Sequence, residues 1–394
     1  MRLLTSIGLL LFGSVAIAQI QLHNDEFSDA GSLVNWLNIN DVEGWNITQL
    51  QNYNIGDTTA GELFMMPLSA SWFEEYRGAL LFKEIAGDFV VTTQVTVSAR
   101  DGMSVPSTDF SLAGIMIRTP MDYPNQDPSI DWMADEQNYI FMSIGRATGN
   151  QYSFEIKNTC DSRSCLKIES ADSTTVLIRM VRRGDQIVVM SRFGNDPWTI
   201  QNRYNRGGLM PGVRPQTFGS CSGNCNSPLP DTVQLGFVTY TDWPKVSSLV
   251  TSFHNSNTIH PDSLGVDDPT PGTAFNPDLR ASFNFIRFDS LNLPDEWIDN
   301  NYDISNPGDI SDNDFIAEFG YDTEDHCPEY HDVISLPISD SYIQVTADSL
   351  VNCAINMDSV SSVIFSSGQE ILLSNGFELI NGTSFTAQIT DCPD

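Results

Sequence analysis

"LIRMVRRGDQIVVMSRFGNDPWTI", residues 177–200, sets the architecture of most of the chain. A strand bearing Arg179 runs into a Gly-Asp turn at Gly184 and Asp185, a second strand returns, and a tight turn precedes Trp198. Ile178 and Met180 fall on one face of the first strand and Arg179 on the other, because successive side chains of a strand point to opposite sides. The stretch is a hairpin, the unit from which antiparallel sheets are built.

The same signal continues on both sides of it. "GDFVVTTQVTVSAR" places Phe89, Val91, Thr93, Val95 and Val97 on one face and Thr92, Gln94, Thr96 and Ser98 on the other. "FSLAGIMIRTP", "NYIFMSIGR", "YSFEIKNT", "TVQLGFVTY" and "ASFNFIRFD" follow suit, separated by Gly, Pro and Asn turns. No stretch of this region has a helical period, so the expected fold class is all-β, an antiparallel jelly-roll sandwich.

The order of these strands carries a resemblance. Residues 177–200 resemble the "LRIVRRGD…S.DG..W" hairpin of concanavalin A-like, laminin-G-like jelly rolls. "GDFVVTTQV", "AGIMIR" and "ASFNFIRFD" occupy the places of an early, a central and the closing strand in such domains, including the DUF1349-like group. The resemblance implies a jelly roll over residues 19–290.

At the start, "IGLLLFGSVAIA" (residues 7–18) follows Arg2 and closes with Ala16 and Ala18, the small residues a signal peptidase prefers. Too short to cross a bilayer, it is expected to be a signal peptide over residues 1–18, so the protein is expected to be secreted, extracellular or held at the cell surface. The net charge of −32, from 51 acidic and 19 basic side chains, makes nucleic acid and anionic membrane surfaces poor partners, since both demand a basic field; no nucleic acid and no membrane span are expected. A glycan or a surface protein fits better. In an exported chain the seven Cys imply disulfides. Cys160 and Cys165 bracket "DSRS" at a hairpin tip, Cys221 and Cys225 bracket "SGN" in a loop, and Cys327, Cys353 and Cys392 remain in the tail, with connectivity open.

Beyond Arg287 there is no Lys or Arg, while Asp and Glu continue to Asp394. Residues 291–325, acidic, Asn-rich and broken by Pro and Gly, are expected to form a linker. The alternative is a calcium loop at Asp309, Asp312 and Asp314, which set hard oxygens close together. In "QEILLSNGFELINGTSFTAQI" the apolar residues Ile371, Leu373, Phe377, Leu379, Phe385, Ala387 and Ile389 alternate with polar ones, with Gly376 and Gly382 at turns. Pieces this short bury too little alone and are expected to stack. The run resembles the "SITL.PGF....G..F.A.I" pattern of the three-coathanger stack module of exported Bacteroidetes proteins, with Asn375 where Pro is usual. That resemblance covers residues 326–394 and implies a spacer without catalysis.

Chemistry is sparser. Laminarinase-like hydrolases of the resembling fold carry E-x-D-x-(x)-E on one strand, which sets carboxylates on the concave face as nucleophile and acid; no such run occurs here. Nor is there a G-x-S-x-G elbow or an H-E-x-x-H pair. Loop carboxylates Asp109, Asp131, Asp135 and Glu136 are the remaining candidates for an unusual hydrolase or lyase site. Binding has better support, because loop tryptophans stack on the C–H faces of sugars: Trp132, Trp198 and Trp243 are the candidates, with Trp72 beside them. With "AGIMIR" and "VLIRMV" as neighbouring strands and Ile115, Ile117, Ile178 and Met180 inward, Arg118 and Arg179 are expected to project onto one shared face and hold a ligand bidentately. The bland alternative pairs each with one of the many acids. "NFIRF" from Asn284 resembles the "DYVRV" of sugar-active relatives, whose Asp helps bind a structural calcium. The resemblance implies calcium at Asn284, with Asp25 supplying the charge that Asn284 lacks. The function expected is a secreted binding protein acting in carbohydrate recognition or adhesion. The competing classes are a carbohydrate-active enzyme and a structural component of an extracellular assembly.

Overall fold

A computed structural model of the chain describes residues 20–43, 48–74, 76–121, 136–207, 227–248 and 275–321, with the backbone of a strand at Phe218–Gly219 and of eight strands between residues 330 and 389. The expected signal peptide, Asp131, Trp132, Asp135, Cys221, Cys225, Cys327 and Cys392 lie outside the described residues. His23–Ile316 forms one compact unit, and the segment from Ala317 belongs to a second.

The first unit is a two-layer antiparallel sandwich. Its strands are β1 (Leu37–Asn38), β2 (Leu50–Ile55), β3 (Leu63–Pro67), β4 (Ala79–Ala86), β5 (Phe89–Ser98), β6 (Ser111–Arg118), β7 (Tyr139–Arg146) and β8 (Ser153–Cys160). They continue with β9 (Arg163–Ser170), β10 (Thr175–Arg183), β11 (Gln186–Arg192), β12 (Thr199–Asn205), β13 (Phe218–Gly219), β14 (Thr232–Tyr240) and β15 (Arg280–Ser290). Among the described residues, an 8-stranded sheet runs β1, β4, β14, β6, β7, β8, β9, β13, and a 7-stranded sheet runs β12, β11, β10, β5, β15, β3, β2. The expected jelly-roll sandwich is therefore present.

The period-two pattern sorts side chains as the sequence anticipates. Ile115, Ile117, Met142, Ile144 and Phe237 of the larger sheet are fully buried against Phe89, Val91, Ile178, Met180 and Phe283 of the smaller. Phe237 and Phe283 meet at 4.3 Å between ring centroids. Each such side chain contributes about 1.5–3 kcal/mol on leaving water. The β10–β11 turn places Gly184 at φ 55° as its first central residue, with Arg183 opposite Gln186. The β8–β9 turn uses Asp161 and Ser162, both with positive φ. Cys160 and Cys165, on either side of it, are both disulfide-bonded.

Two expectations need correction. β6 and β10 lie in different sheets, so Arg118 and Arg179 share no face. Alternation fixes which way a side chain points within its own sheet and says nothing about which sheet that is. The acidic stretch, in turn, is folded as far as Ile316. Ile304, Ile310 and Phe315 are buried, and the Trp297 and Phe315 rings stack at 6.3 Å. Arg183 donates to the Tyr302 carbonyl at 2.6 Å, Arg203 donates to the Ile304 carbonyl at 2.6 Å, and the Gln186 side chain accepts from the Ile304 N–H at 3.0 Å. The Arg203 guanidinium also lies 4.9 Å from the Phe315 centroid. Phe315→Ala is expected to cost about 3 kcal/mol, the usual loss for an emptied aromatic site, read as a lower urea midpoint. A solvated linker would show no change.

In the second unit the strands pair in parallel. Tyr330–Val333, Leu350–Cys353 and Glu370–Leu373 make one ladder, Tyr342–Ala347, Ser362–Ser367 and Ser384–Ile389 a second, and Asn356–Met357 with Glu378–Leu379 a third. Successive strands in sequence thus belong to different ladders, and each pairs with its counterpart about one 20-residue repeat away, as in a solenoid. This is the stacked-strand domain that the tail pattern anticipates.

Candidate functional site

The face of the 8-stranded sheet turned away from the smaller sheet carries Leu80, Phe82, Leu112, Met116, Tyr139, Phe141, Val238 and Tyr240, all buried. Residues 69–74 and 76–78 belong to a strap over it. Ala70 bridges to Thr241, Ser69 Oγ donates to Asp242 at 2.5 Å, and the Glu74 N–H donates to Ser164 Oγ at 2.7 Å. Trp72 lies wholly inside, edge-on to Tyr139 at 5.4 Å.

Beneath the strap the sheet holds two buried polar groups. In the first, Arg118 Nη1 pairs with Glu43 at 2.5 Å and donates to Gln234 at 2.6 Å, while Arg77 stands 3.6 Å from the same Glu43 carboxylate. In the second, Lys157 Nζ pairs with Glu155 at 2.6 Å and donates to the Trp72 carbonyl at 2.6 Å. Glu155 also accepts from the Tyr240 hydroxyl at 2.7 Å, and that hydroxyl lies 2.6 Å from Ser143 Oγ. Burial holds the Lys157 ammonium below the usual lysine range, with Glu155 pulling the other way. Burial and the Glu155 charge raise Tyr240 well above an ordinary phenol. Both groups are enclosed, so their role here is to fix the strap.

The strap's exposed side builds a different feature. Phe73 and Tyr76 form a bridge pair, with the Tyr76 N–H donating to the Phe73 carbonyl at 2.8 Å, so the turn sets the two rings side by side. Both meet Trp243 edge-on, Phe73 at 5.4 Å and 62° and Tyr76 at 5.3 Å and 77°, and Phe110 closes the group at 6.3 Å. All four rings are half-buried. From below, Lys157 Nζ sits 5.0 Å from the Phe73 centroid.

Backbone strain marks the same place. Glu74, Phe110 and Asp242 all have positive φ, at 52°, 54° and 65°, a conformation that costs non-glycine residues energy unless their surroundings impose it. For Asp242 the surroundings are visible: its carboxylate accepts from Ser69 Oγ and from the Asn276 N–H at 2.7 Å, which ties the strap to the turn bearing Trp243. Burial pushes that carboxyl above the usual carboxylate range, and these hydrogen bonds oppose the shift.

The other sequence candidates go elsewhere. Arg118 is fully buried in the pair described above. Arg179, also fully buried, donates to Thr92 Oγ1 at 2.8 Å and lies 4.4 Å from the Trp198 ring, itself buried, on the outer side of the 7-stranded sheet. Asp109 pairs with Arg146 at 2.9 Å. Asp25 bridges to Ile286 beside Asn284, but its carboxylate already accepts from the Phe27 N–H, Ser32 Oγ and Trp36 Nε1, at 2.9, 3.1 and 2.9 Å. That donor set does not fit calcium, and no group of three His, Cys, Asp or Glu able to hold a metal occurs among the described residues. In the acidic stretch Asp312 pairs with Arg203, Asp309 accepts from the Asp303 N–H, and Asp314 accepts from Ser311. Of the tryptophans singled out for binding, Trp243 is the one at a half-exposed cluster among the described residues. Phe73, Tyr76 and Phe110 were missed, although aromatic crowding in "SWFEEYRG" was a readable signal.

No protein-family model matches the chain, and no curated protein matches it. Among solved structures, it is similar to the GH43 BlXynB protein from Bacillus licheniformis, at 11% identity and a TM-score of 0.36 over 68% of this chain and 39% of that one. It is also similar to a functionally unknown protein from Saccharomyces cerevisiae (10% identity, TM-score 0.40, 66% of this chain and 99% of that one). A third is lectin I-B4 from Griffonia simplicifolia (12% identity, TM-score 0.34, 68% and 99%). The chain spans 39% of the length of the GH43 protein. Likeness at these scores carries no functional argument, and the fold rests on the chain's own strand pairing. By that pairing it is an all-β protein, a jelly-roll sandwich plus a stacked-strand domain.

Proposed function

We propose that this is a secreted or cell-surface protein whose sandwich recognises carbohydrate at the Trp243 cluster and whose stacked C-terminal domain, resembling the three-coathanger module, is a spacer. One observation carries the reading: three rings converge on a half-buried Trp243, at a turn and a strap held in strained conformations. Indole and phenyl rings bind sugars through their C–H faces and need no charge to do so. Export rests on the apolar run at residues 7–18, and no helix among the described residues is long and apolar enough to cross a membrane.

The competing hydrolase reading has the carboxylates Glu43 and Glu155 on the outer face of the larger sheet in its favour. Both are enclosed and ion-paired, where no substrate reaches them. The test is retention of the full chain on a panel of insoluble polysaccharides, with soluble reducing ends measured in parallel. Retention without product is expected, and Trp243→Ala is expected to weaken it about tenfold, equivalent to ~1.4 kcal/mol. Release of reducing sugar, or equal retention of the variant, would overturn the reading.

A further inference from the structure

We infer that two disulfides, Cys165–Cys221 and Cys160–Cys225, staple the tip of the β8–β9 hairpin to the segment that follows β13. This connectivity goes beyond the carbohydrate reading above and does not depend on it.

The register of the hairpin gives the first half of the argument. Cys160 and Cys165 are both disulfide-bonded. Cys160 stands opposite Arg163 and Cys165 opposite Asn158, so the two cysteines are diagonal neighbours on one face of the sheet, two residues out of step. Diagonal neighbours of this kind lie roughly 7–8 Å apart. A disulfide joins Cα atoms about 4.4–6.8 Å apart, so the hairpin does not close on itself. Each of its two sulfurs therefore bonds a cysteine of another segment. Of the rest of the seven, Cys327, Cys353 and Cys392 belong to the other compact unit, which leaves Cys221 and Cys225.

The neighbouring backbone gives the order of the pairs. β13 lies antiparallel along β9, with Phe218 opposite Leu166 and Gly219 opposite Cys165. Cys221 follows Gly219 by two residues, a reach of about 7 Å at most. The chain is beside the hairpin again at Ser227, whose Oγ donates to the carboxylate of Asp161, the residue next to Cys160. Arg206 ties the two segments together there, donating to the Ser227 carbonyl at 3.1 Å, to Asn158 Oδ1 at 2.6 Å and to the Thr159 carbonyl at 2.7 Å. Cys225 precedes Ser227 by two residues. Cys221 and Cys225 themselves lie outside the described residues, so the flanking contacts assign them: Gly219 gives Cys221 to Cys165, and Ser227 gives Cys225 to Cys160.

The tip so fixed is also an anchor of the strap. Ser164 Oγ, between the two cysteines, accepts from the Glu74 N–H at 2.7 Å, and the Ser162 N–H donates to the Gln137 carbonyl at 2.9 Å. Each bond forms when two thiols pass two electrons to a disulfide oxidant by thiol–disulfide exchange, through a mixed disulfide, and the oxidant leaves as its reduced dithiol carrying the two protons. An oxidising compartment supplies such an oxidant.

The experiment is peptide mapping of the full chain by mass spectrometry, with free thiols alkylated and no reductant added, and with backbone fragmentation between Cys221 and Cys225 to assign the partner of each. Peptides joined through Cys165–Cys221 and Cys160–Cys225 are expected. A bond between Cys160 and Cys165, a bond from either to Cys327, Cys353 or Cys392, the reverse pairing with Cys221 and Cys225, or alkylation of Cys160 or Cys165 would overturn the inference. Single variants give a second reading of the same bonds: Cys165→Ser should free Cys221 for alkylation, and Cys160→Ser should free Cys225. Appearance of the other loop thiol in either variant would overturn the order. Every one of these outcomes leaves glycan retention to be judged on its own.

Discussion

Arg118→Ala is expected to lose about 3–5 kcal/mol of stability, the cost of leaving a buried charge without its partner. Glu43 is almost wholly enclosed, and its carboxylate depends on Arg118 at 2.5 Å and Arg77 at 3.6 Å. Gln234 would lose its donor at the same time. A substantial fall in the urea midpoint at unchanged slope is the expected result. A double variant, Arg118→Met with Glu43→Gln, should recover part of the loss, because removing both charges also removes the penalty of burying them, while Arg77, 3.6 Å from Glu43, loses that carboxylate. If the single variant unfolds like the parent, the pair is not enclosed as described. If the double variant is no better than the single, the loss comes from packing rather than charge.

Trp72→Ala should cost a similar amount, about 3–5 kcal/mol, for a different reason. The indole is fully buried, its Nε1 donates to the Ala79 carbonyl at 3.2 Å, and it fills the space between the strap and Tyr139. Gly78 is moulded to it: a methyl group there would lie 2.7 Å from Trp72 Cδ1. Removing the ring empties the centre of the strap, so Phe73 and Tyr76 should lose their positions, and glycan retention should fall together with stability. Trp243→Ala should separate the two, losing retention while the melting temperature moves by a few degrees at most, since that ring is half-exposed. Retention unaffected in Trp72→Ala would mean that the cluster does not depend on the strap.

The sandwich was legible because its signal is local. A strand such as Phe89–Ser98 writes its inner face into its own sequence, and Phe89, Val91, Val95 and Val97 are inside as the alternation requires. Assignment of strands to sheets is not local, and so alternation alone puts Arg118 and Arg179 on one face although they lie in different layers. The acidic stretch hides its fold for a related reason. Trp297, Ile304, Ile310 and Phe315 follow no period, and what fixes them is donation by Arg183 and Arg203 to main-chain carbonyls, which any residue type offers. The Trp243 cluster was legible only in part. One ring was picked out from its loop setting, but the meeting of Phe73, Tyr76 and Phe110 with a side chain far along the chain depends on the strap, whose path is set by Asp242 and Thr241.

The parallel ladders of the second unit have a consequence for how this protein varies. Tyr342 pairs with Ser362 and Ser362 with Ser384, so the backbone repeats itself. Duplicating or deleting one whole repeat would change its height by a single interstrand step of about 4.8 Å and leave every remaining pairing intact. Length can thus drift between lineages in fixed increments, free of the constraints that hold the aromatic cluster in place.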